Sequence, residues 1–329
     1  MELPKVIVTG GGGFLGGALA RRLVQKGFRV VSVARGSYPN LAEAGIEHHR
    51  LDISDDQGRL VSVFDGARAV FHTAAKVDMW GPYEDFYRAN VLGTQAVLKA
   101  CRGAGVPTLI YTSSPSVIAD GSDLCGINES YSYPKSYLAF YPATKAIAER
   151  EVLDHNGHGL HTLSLRPHLI WGPGDTNLIP TVIERARLGK LIRIGKGDNL
   201  VDFTYIDECV DAHLCALSAA EANPEARGKA YFISQGDPVP LWWWVGEILS
   251  KAGLPPITRS IPRRIAELLA GVFEAYSKLS GGTREPLLTR FLVKEMATSH
   301  YFDITRARTL LEYNPKFSTR ERLKDFQIL

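Results

Sequence analysis

The sequence predicts an α/β protein, a Rossmann-type doubly wound parallel sheet with a smaller C-terminal substrate lobe. Three observations lead there. Short β-branched runs alternate with amphipathic stretches through the first half of the chain. Those runs are apolar throughout, as suits strands buried on both faces of a parallel sheet. The first of them ends in a glycine turn that opens a helix, the arrangement that binds dinucleotides at the carboxyl ends of strands.

In order, "KVIVTG", "FRVVSVA", "ARAVFHTAA", "TLIYTSS" and "HTLSLRP" read as strands, each followed by helix-like sequence. After "LRPHLIWGPGD" the pattern loosens, with Pro and Gly clusters at residues 172–174, 254–256 and 281–286. This places a dinucleotide-binding domain over residues 1–170 and 201–235, the second piece being the return through "VDFTYIDECVDAHLCAL". The substrate lobe takes residues 171–200 and 236–329.

A net charge of +3, with basic residues dispersed among acidic ones, leaves no stripe for nucleic acid. The four cysteines, Cys101, Cys125, Cys209 and Cys215, form no CxxC pair and have no histidines at metal spacing, so they read as reduced packing residues. No stretch reaches roughly 18 unbroken apolar residues, and the N-terminus has no leader pattern. A cytoplasmic protein without a spanning segment is expected. His72, His168 and His300 share no ligand spacing, and no metal is assigned.

Within "TGGGGFLG", Gly10, Gly13 and Gly16 are spaced as GxxGxxG. The turn must be tight, the backbone must approach a pyrophosphate, and the helix N-terminus must face that anion. At the end of the second strand an acid would accept from a free ribose 2′-hydroxyl, but "VVSVARGSYP" puts Arg35 there. A guanidinium pairs with a 2′-phosphate instead, so Arg35 selects NADP(H). Asp52, in "RLDISD", either accepts from the adenine amine or caps a helix. Ala74, Ala75 and Lys76 follow a strand whose end would run under the cofactor.

"YPATK" places Tyr141 and Lys145 four apart at the start of a helix, on one face, and "YTSSPSV" ends a strand with Ser114. A carbonyl receiving hydride develops negative charge on oxygen and needs both a hydrogen-bond donor and a proton source. A tyrosine supplies the proton near neutral pH only if a cation such as Lys145 favours its ionised form.

With these elements the chain resembles the extended short-chain dehydrogenases/reductases: "TGGGGFLG" matches TGxxGxxG, "NVLGT" matches NVxGT, and "TSSPSV" and "YPATK" match the serine strand and YxxxK. The resemblance covers essentially the whole chain. It implies that Ser114 polarises the carbonyl, Tyr141 donates the proton, and Lys145 holds the nicotinamide ribose and lowers the tyrosine pKa. Asn90 either supports a proton relay or is a structural amide that kinks its helix. The resemblance also puts Phe14, Leu15, Ile53, Pro167, Leu169 and Ile170 around the cofactor. It further implies a homodimer packed through the helices that begin near Asn90 and Tyr141.

"RPHLIWGPGD", "NLVDFTYIDECVDAH" and "YFISQGDPVPLWWW" are similar to the 3β-hydroxysteroid dehydrogenase branch. Within it, "RGSYP", "AAKVDMWGPYEDFYRANVLGTQ" and "LWWW" look most like bacterial 2-alkyl-3-oxoalkanoate reductases of olefin biosynthesis. That resemblance implies NADPH-dependent reduction of a β-keto acid with two alkyl chains, in a possible assembly with pathway enzymes. A 3β-hydroxysteroid or sterol substrate is the closest alternative. Sugar-nucleotide chemistry fits less well: no Asp-Glu pair adjoins the strand hydroxyl, and Pro167 and His168 stand where epimerases prefer asparagine. A non-enzymatic NADP-binding regulator would typically lack the tyrosine or the lysine.

In the stretch 259–282, Ile265, Leu268, Leu269, Val272, Phe273 and Tyr276 recur at helical spacing behind Arg263 and Arg264. This reads as a lid over the substrate pocket, with peripheral membrane or partner contact as the alternative. Trp242, Trp243 and Trp244 cannot share one helix face, so at least one should be exposed or in an interface.

Overall fold

The computed structural model describes residues 3–280 and 285–328. Seven parallel strands form the central sheet: β1 (Lys5–Thr9), β2 (Arg29–Ala34), β3 (Glu47–Arg50), β4 (Ala69–His72), β5 (Thr108–Thr112), β6 (His161–Pro167) and β7 (Lys229–Ile233). Their spatial order is β7-β6-β5-β4-β1-β2-β3. Strand order reverses between β1 and β4, and ligands of such sheets bind outside the carboxyl ends at that point.

The unbroken apolar runs have a direct explanation. Val6 and Val8 of β1 pack with Leu19 and Leu23 of the helix Phe14–Gln25 on one face. Ile7 between them packs with Leu60, Val97 and Cys101 on the other. Alternate residues therefore enter two different cores, both apolar.

A second sheet gathers Val239–Pro240, Leu200–Val201, His300–Phe302 and Leu124–Ile127, in that order. The segment Leu124–Ile127 thus leaves the first half of the chain to join the small lobe. In return the helix Thr305–Leu311 packs against β7 and the helix Ile206–Ala222.

Trp244 is fully buried and stacks on Phe203 at 4.6 Å, and Trp242 Nε1 donates to the Met296 carbonyl at 3.3 Å. Trp243 is the partly exposed member, with the Arg320 guanidinium 4.2 Å above its ring. All four cysteines are free. Among the described residues no helix is long and apolar enough to cross a membrane.

The stretch 259–282 departs from the lid expectation. Ser260–Ile261 form a short strand beside Arg193–Ile194, and the helix runs Arg263–Leu279, while residues 281–282 lie outside the described residues. Most of its apolar stripe faces solvent: Ile265, Leu268, Leu269, Val272 and Tyr276 are exposed, while Phe273 is half-buried. Ala266, Ala270, Glu274 and Ser277 are the side turned inward. Small side chains let the helix lie close on Val293 and Ile194, leaving the large ones no room beneath it.

Candidate active site

The glycine turn follows β1. Gly10 has φ +73°, and a Cβ there would stand 2.8 Å from the Ala74 amide nitrogen, so both conformation and space require glycine. At Gly16 a Cβ would meet the Gly10 carbonyl oxygen at 2.3 Å, so the helix can approach the turn only without one. Gly13 is the N-cap residue of the helix Phe14–Gln25, which has no side-chain cap and no acid in its first turn. The leading amides and the positive end of the dipole therefore remain available for an anion, and the turn fits a pyrophosphate-bearing cofactor. Phe14 and Leu15 pack with Leu169 and Ile170 against the small-lobe core.

Arg35 lies exposed just past β2. Among the described residues no hydrogen bond or ion pair engages its guanidinium. The loop behind it is tied to β3, because Arg50 Nε donates to the Arg35 carbonyl at 3.0 Å and His48 Nε2 to the Gly36 carbonyl at 2.9 Å. Tyr38 fills the space over Gly12, where a Cβ would come within 2.2 Å of its ring. Sequence reading singled out none of Tyr38, His48 and Arg50, because strand pairing is what brings β3 to this loop. Asp52 proves not to be a helix cap. Its Oδ1 accepts from the Ser54 amide and hydroxyl at 3.0 and 2.6 Å, bracing the turn after β3. Burial raises its pKa, but these bonds and the charges of Arg88 and Arg35 hold it low on balance. Ile53 packs on Gly93.

Ser114, Tyr141 and Lys145 converge at the carboxyl end of β5. Ser114 caps the short turn Pro115–Ile118, accepting from the Ser116 amide at 3.2 Å and from the Ser116 hydroxyl at 2.9 Å. Its own hydrogen is left for another acceptor. The helix Phe140–Asp154 carries Tyr141 in its first turn and Lys145 one turn on. Burial raises the Tyr141 phenol pKa, the neighbouring Ser114 hydroxyl pulls it back, and the Glu295 carboxylate raises it again. Lys145 is buried, donates to the Thr112 carbonyl at 2.7 Å, and sits 4.1 Å from the centre of the Tyr111 ring. Burial lowers its pKa to about 7, against the opposing pull of Glu149. Where the resemblance implied that Lys145 lowers the tyrosine pKa, the Tyr141 phenol is instead raised on balance, and the influences on it are burial, Ser114 and Glu295. Glu149 is itself fully buried and bonded to Arg166, Tyr133 and Ser164.

The family profile of the 3-beta hydroxysteroid dehydrogenase/isomerases matches residues 7–263. The chain belongs to the 3-beta hydroxysteroid dehydrogenase/isomerase family. It is similar to 2-alkyl-3-oxoalkanoate reductases of Shewanella oneidensis, 41% identical over 98% of this chain and 85% of that one, and of Stenotrophomonas maltophilia, 42% identical over 97% of each. A Mus musculus sterol-4-alpha-carboxylate 3-dehydrogenase, decarboxylating, is 33% identical over 97% of this chain and 89% of that one. Among solved structures, gox2253 superposes with a TM-score of 0.78 at 26% identity, over 98% of this chain and 96% of that one. MoeE5 in complex with UDP-glucose and NAD superposes with a TM-score of 0.72, also at 26% identity, over 97% of this chain and 96% of that one. The family is one of NAD(P)-dependent oxidoreductases of the extended short-chain class.

Asn90 lies in a π-helical turn, Tyr87–Leu92, and is buried. Its side-chain oxygen accepts from the Lys76 amide at 2.8 Å. Its nitrogen donates to the Lys76 carbonyl at 3.1 Å and to Thr144 Oγ1 at 3.0 Å. The amide therefore clamps the segment Ala74–Lys76 to the helix that carries Tyr141 and Lys145. These bonds are those of the structural amide, one of the two readings open from sequence.

Pro167 ends β6, and Leu169 just beyond it has φ +39°, a costly conformation for a γ-branched residue and the kind stored at functional sites. Between them, His168 Nδ1 donates to Asp202 at 2.6 Å and His168 Nε2 meets His300 Nδ1 at 3.0 Å. His300 Nε2 donates to the Glu295 carbonyl at 2.8 Å. These contacts link Asp202, the two rings and the Glu295 carbonyl in one buried chain, in which burial lowers the His300 pKa. Sequence spacing separated His168 from His300, but the fold brings them and Glu295 together, with ligand atoms within 4.8 Å of one another. All four ring nitrogens are already hydrogen-bonded, so a metal ion would have to displace those bonds.

A small cavity of about 20 Å³ beside this array is lined by Ala119, Leu124, Leu138, Phe291, Glu295 and His300 among others. A larger one, about 450 Å³, borders Cys101, Val106 and Leu160 at the opposite end of β5 and β6, away from Ser114 and Tyr141.

Proposed function

We propose that this chain reduces 2-alkyl-3-oxoalkanoates to the 3-hydroxy acids with NADPH. What carries the substrate class is the likeness to two bacterial 2-alkyl-3-oxoalkanoate reductases at 41% and 42% identity over nearly the whole chain. The preference for NADPH rests on Arg35, a guanidinium without a bonded partner among the described residues where an acid would favour NADH.

Bound reduced nicotinamide supplies the hydride. Gly10, Gly13, Gly16 and the helix N-terminus would hold its pyrophosphate, with Arg35 at the 2′-phosphate and Asp52 and Ile53 at the adenine. Ala74–Lys76 and Pro167–Ile170 would flank the nicotinamide. Tyr141 would enter a reduction as the acid and pass its phenolic proton to the carbonyl oxygen. Ser114 donates its free hydrogen to that same oxygen and favours the charge that gathers there. The Lys145 ammonium favours the phenolate left behind, and Glu149 one turn further on favours the ammonium. We place the protein in the cytoplasm as a homodimer, through the helices Gly93–Gly103 and Phe140–Asp154, at whose starts Leu92 and Phe140 stand exposed.

A sterol 3-keto substrate is the second reading, favoured by the sterol-4-alpha-carboxylate dehydrogenase relatives. The test is absorbance at 340 nm with purified protein, offering NADP⁺ or NAD⁺ with a long-chain 2-alkyl-3-hydroxy acid or a 3β-hydroxysteroid. Oxidation of the hydroxy acid with NADP⁺ is expected. Turnover of the steroid alone would overturn the substrate class, and a preference for NAD⁺ would overturn the cofactor.

A further inference from the structure

The helix Arg263–Leu279 is amphipathic in the inverse sense to a core helix. Ile265, Leu268, Leu269, Val272, Tyr276 and Leu279 lie along one side at helical spacing, and that side faces water. Exposure reaches 69% at Leu268, 73% at Tyr276 and 89% at Leu279, far beyond the scattered exposed apolar residues of an ordinary surface.

Charge decides what covers the stripe. Both acids of the helix are turned away and neutralised: Glu267 pairs with Arg263 and Lys294, and buried Glu274 accepts from the Arg290 amide and guanidinium. Arg264 and Lys278, both exposed, border the stripe near its two ends. The outward face is therefore apolar and cationic, with no carboxylate. Two copies of the helix packed antiparallel would set Arg264 against Lys278, and packed parallel would set like against like, with no acid on the face to relieve either. An anionic bilayer surface offers the missing charge and takes up an apolar face lying flat in the headgroup region.

We propose that the helix Arg263–Leu279 is an interfacial docking element that seats the protein on anionic membrane surfaces. Its inner side lies against the helix Arg290–Ala297, whose Phe291, Lys294 and Glu295 line the small cavity beside His300. Seating this face on lipid puts that cavity at the membrane side of the molecule. The proposal holds whatever the substrate, since its test reads binding alone.

The experiment is co-sedimentation of the full chain with vesicles of phosphatidylcholine, and of equal parts phosphatidylcholine and phosphatidylglycerol. The variants are L268E/V272E and R264E/K278E, with circular dichroism confirming that each stays folded. The expected result is sedimentation with the anionic vesicles, weakened by added salt. The apolar variant should lose at least tenfold in affinity, and the charge variant should lose its preference for phosphatidylglycerol. A Y276W reporter should shift its emission to the blue on the same vesicles. Failure of the wild-type chain to sediment would overturn the proposal. So would equal binding by wild type and L268E/V272E. Should sedimentation velocity instead show a dimer that L268E/V272E dissociates, the face belongs to a second copy and the membrane assignment is wrong.

Discussion

The helices Phe14–Gln25 and Arg263–Leu279 invite comparison. Both show apolar residues at helical spacing in the sequence. In the first, Leu19 and Leu23 are fully buried against β1, while in the second Leu268 and Leu279 are among the most exposed large apolar residues of the chain. Periodicity groups residues on one face, but which neighbour meets that face is set by what else packs nearby. Beside β1 the sheet offers an apolar wall. Beside Arg263–Leu279 the apolar neighbours are Val293 and Ile194, which pack against Ala266 and Ala270.

The strongest test of the sheet side of this comparison is Tyr141→Phe, since that side also carries the proposed chemistry. Turnover should fall by about 10² to 10⁴ while nucleotide affinity, measured by fluorescence titration, stays nearly unchanged. Loss of binding would instead mean that Tyr141 is not the acid. Next comes the paired truncation. Leu19→Ala should cost about 3 kcal/mol in urea unfolding, whereas Leu268→Ala should stay within about 0.5 kcal/mol. Similar costs would erase the distinction between the two helices.

Arg35→Asp should move the NADPH/NADH ratio of kcat/KM by roughly ten- to a hundredfold toward NADH, the scale of one charged hydrogen bond. An unchanged ratio would place the selection elsewhere, for instance on Arg50. The smallest effect is spread over pH. Burial lowers His72 to about 3 and His213 to about 4 from an ordinary 6.5. The unfolded chain therefore binds more protons below pH 6.5, and the stability these neutral rings lend is complete above that pH and lost as the pH falls toward 4. Each ring contributes a slope of roughly 1 kcal/mol per pH unit. His213→Gln should flatten the profile of Tm against pH between 6 and 4, and a profile as steep as wild type would show that carboxylates dominate it.

Much of the site was legible because it is local. Gly10, Gly13 and Gly16 belong to one strand-turn-helix, Tyr141 and Lys145 are neighbours on one helix, and Arg35 directly follows a strand that announces itself by composition. What stayed hidden depends on partners far along the chain. Asn90 acts on Lys76 and Thr144, Asp52 on Ser54 in a turn with no fixed signature, and Arg50 reaches Arg35 only through pairing of β2 with β3. The surroundings of the stretch 259–282 stayed hidden for the same reason, since periodicity does not say that its apolar stripe faces solvent.

By itself, then, the sequence determined the doubly wound sheet, the glycine turn after its first strand, and the residue types that suit hydride transfer to a carbonyl. All of these follow from backbone geometry within a few residues and from which side chains exclude water. Tertiary structure alone decided that His168 meets His300 across 132 residues, that burial lowers the Lys145 pKa, and that Leu268 faces solvent. Proton affinity and exposure are properties of the surroundings, and those surroundings are assembled from segments that only the finished fold brings into contact.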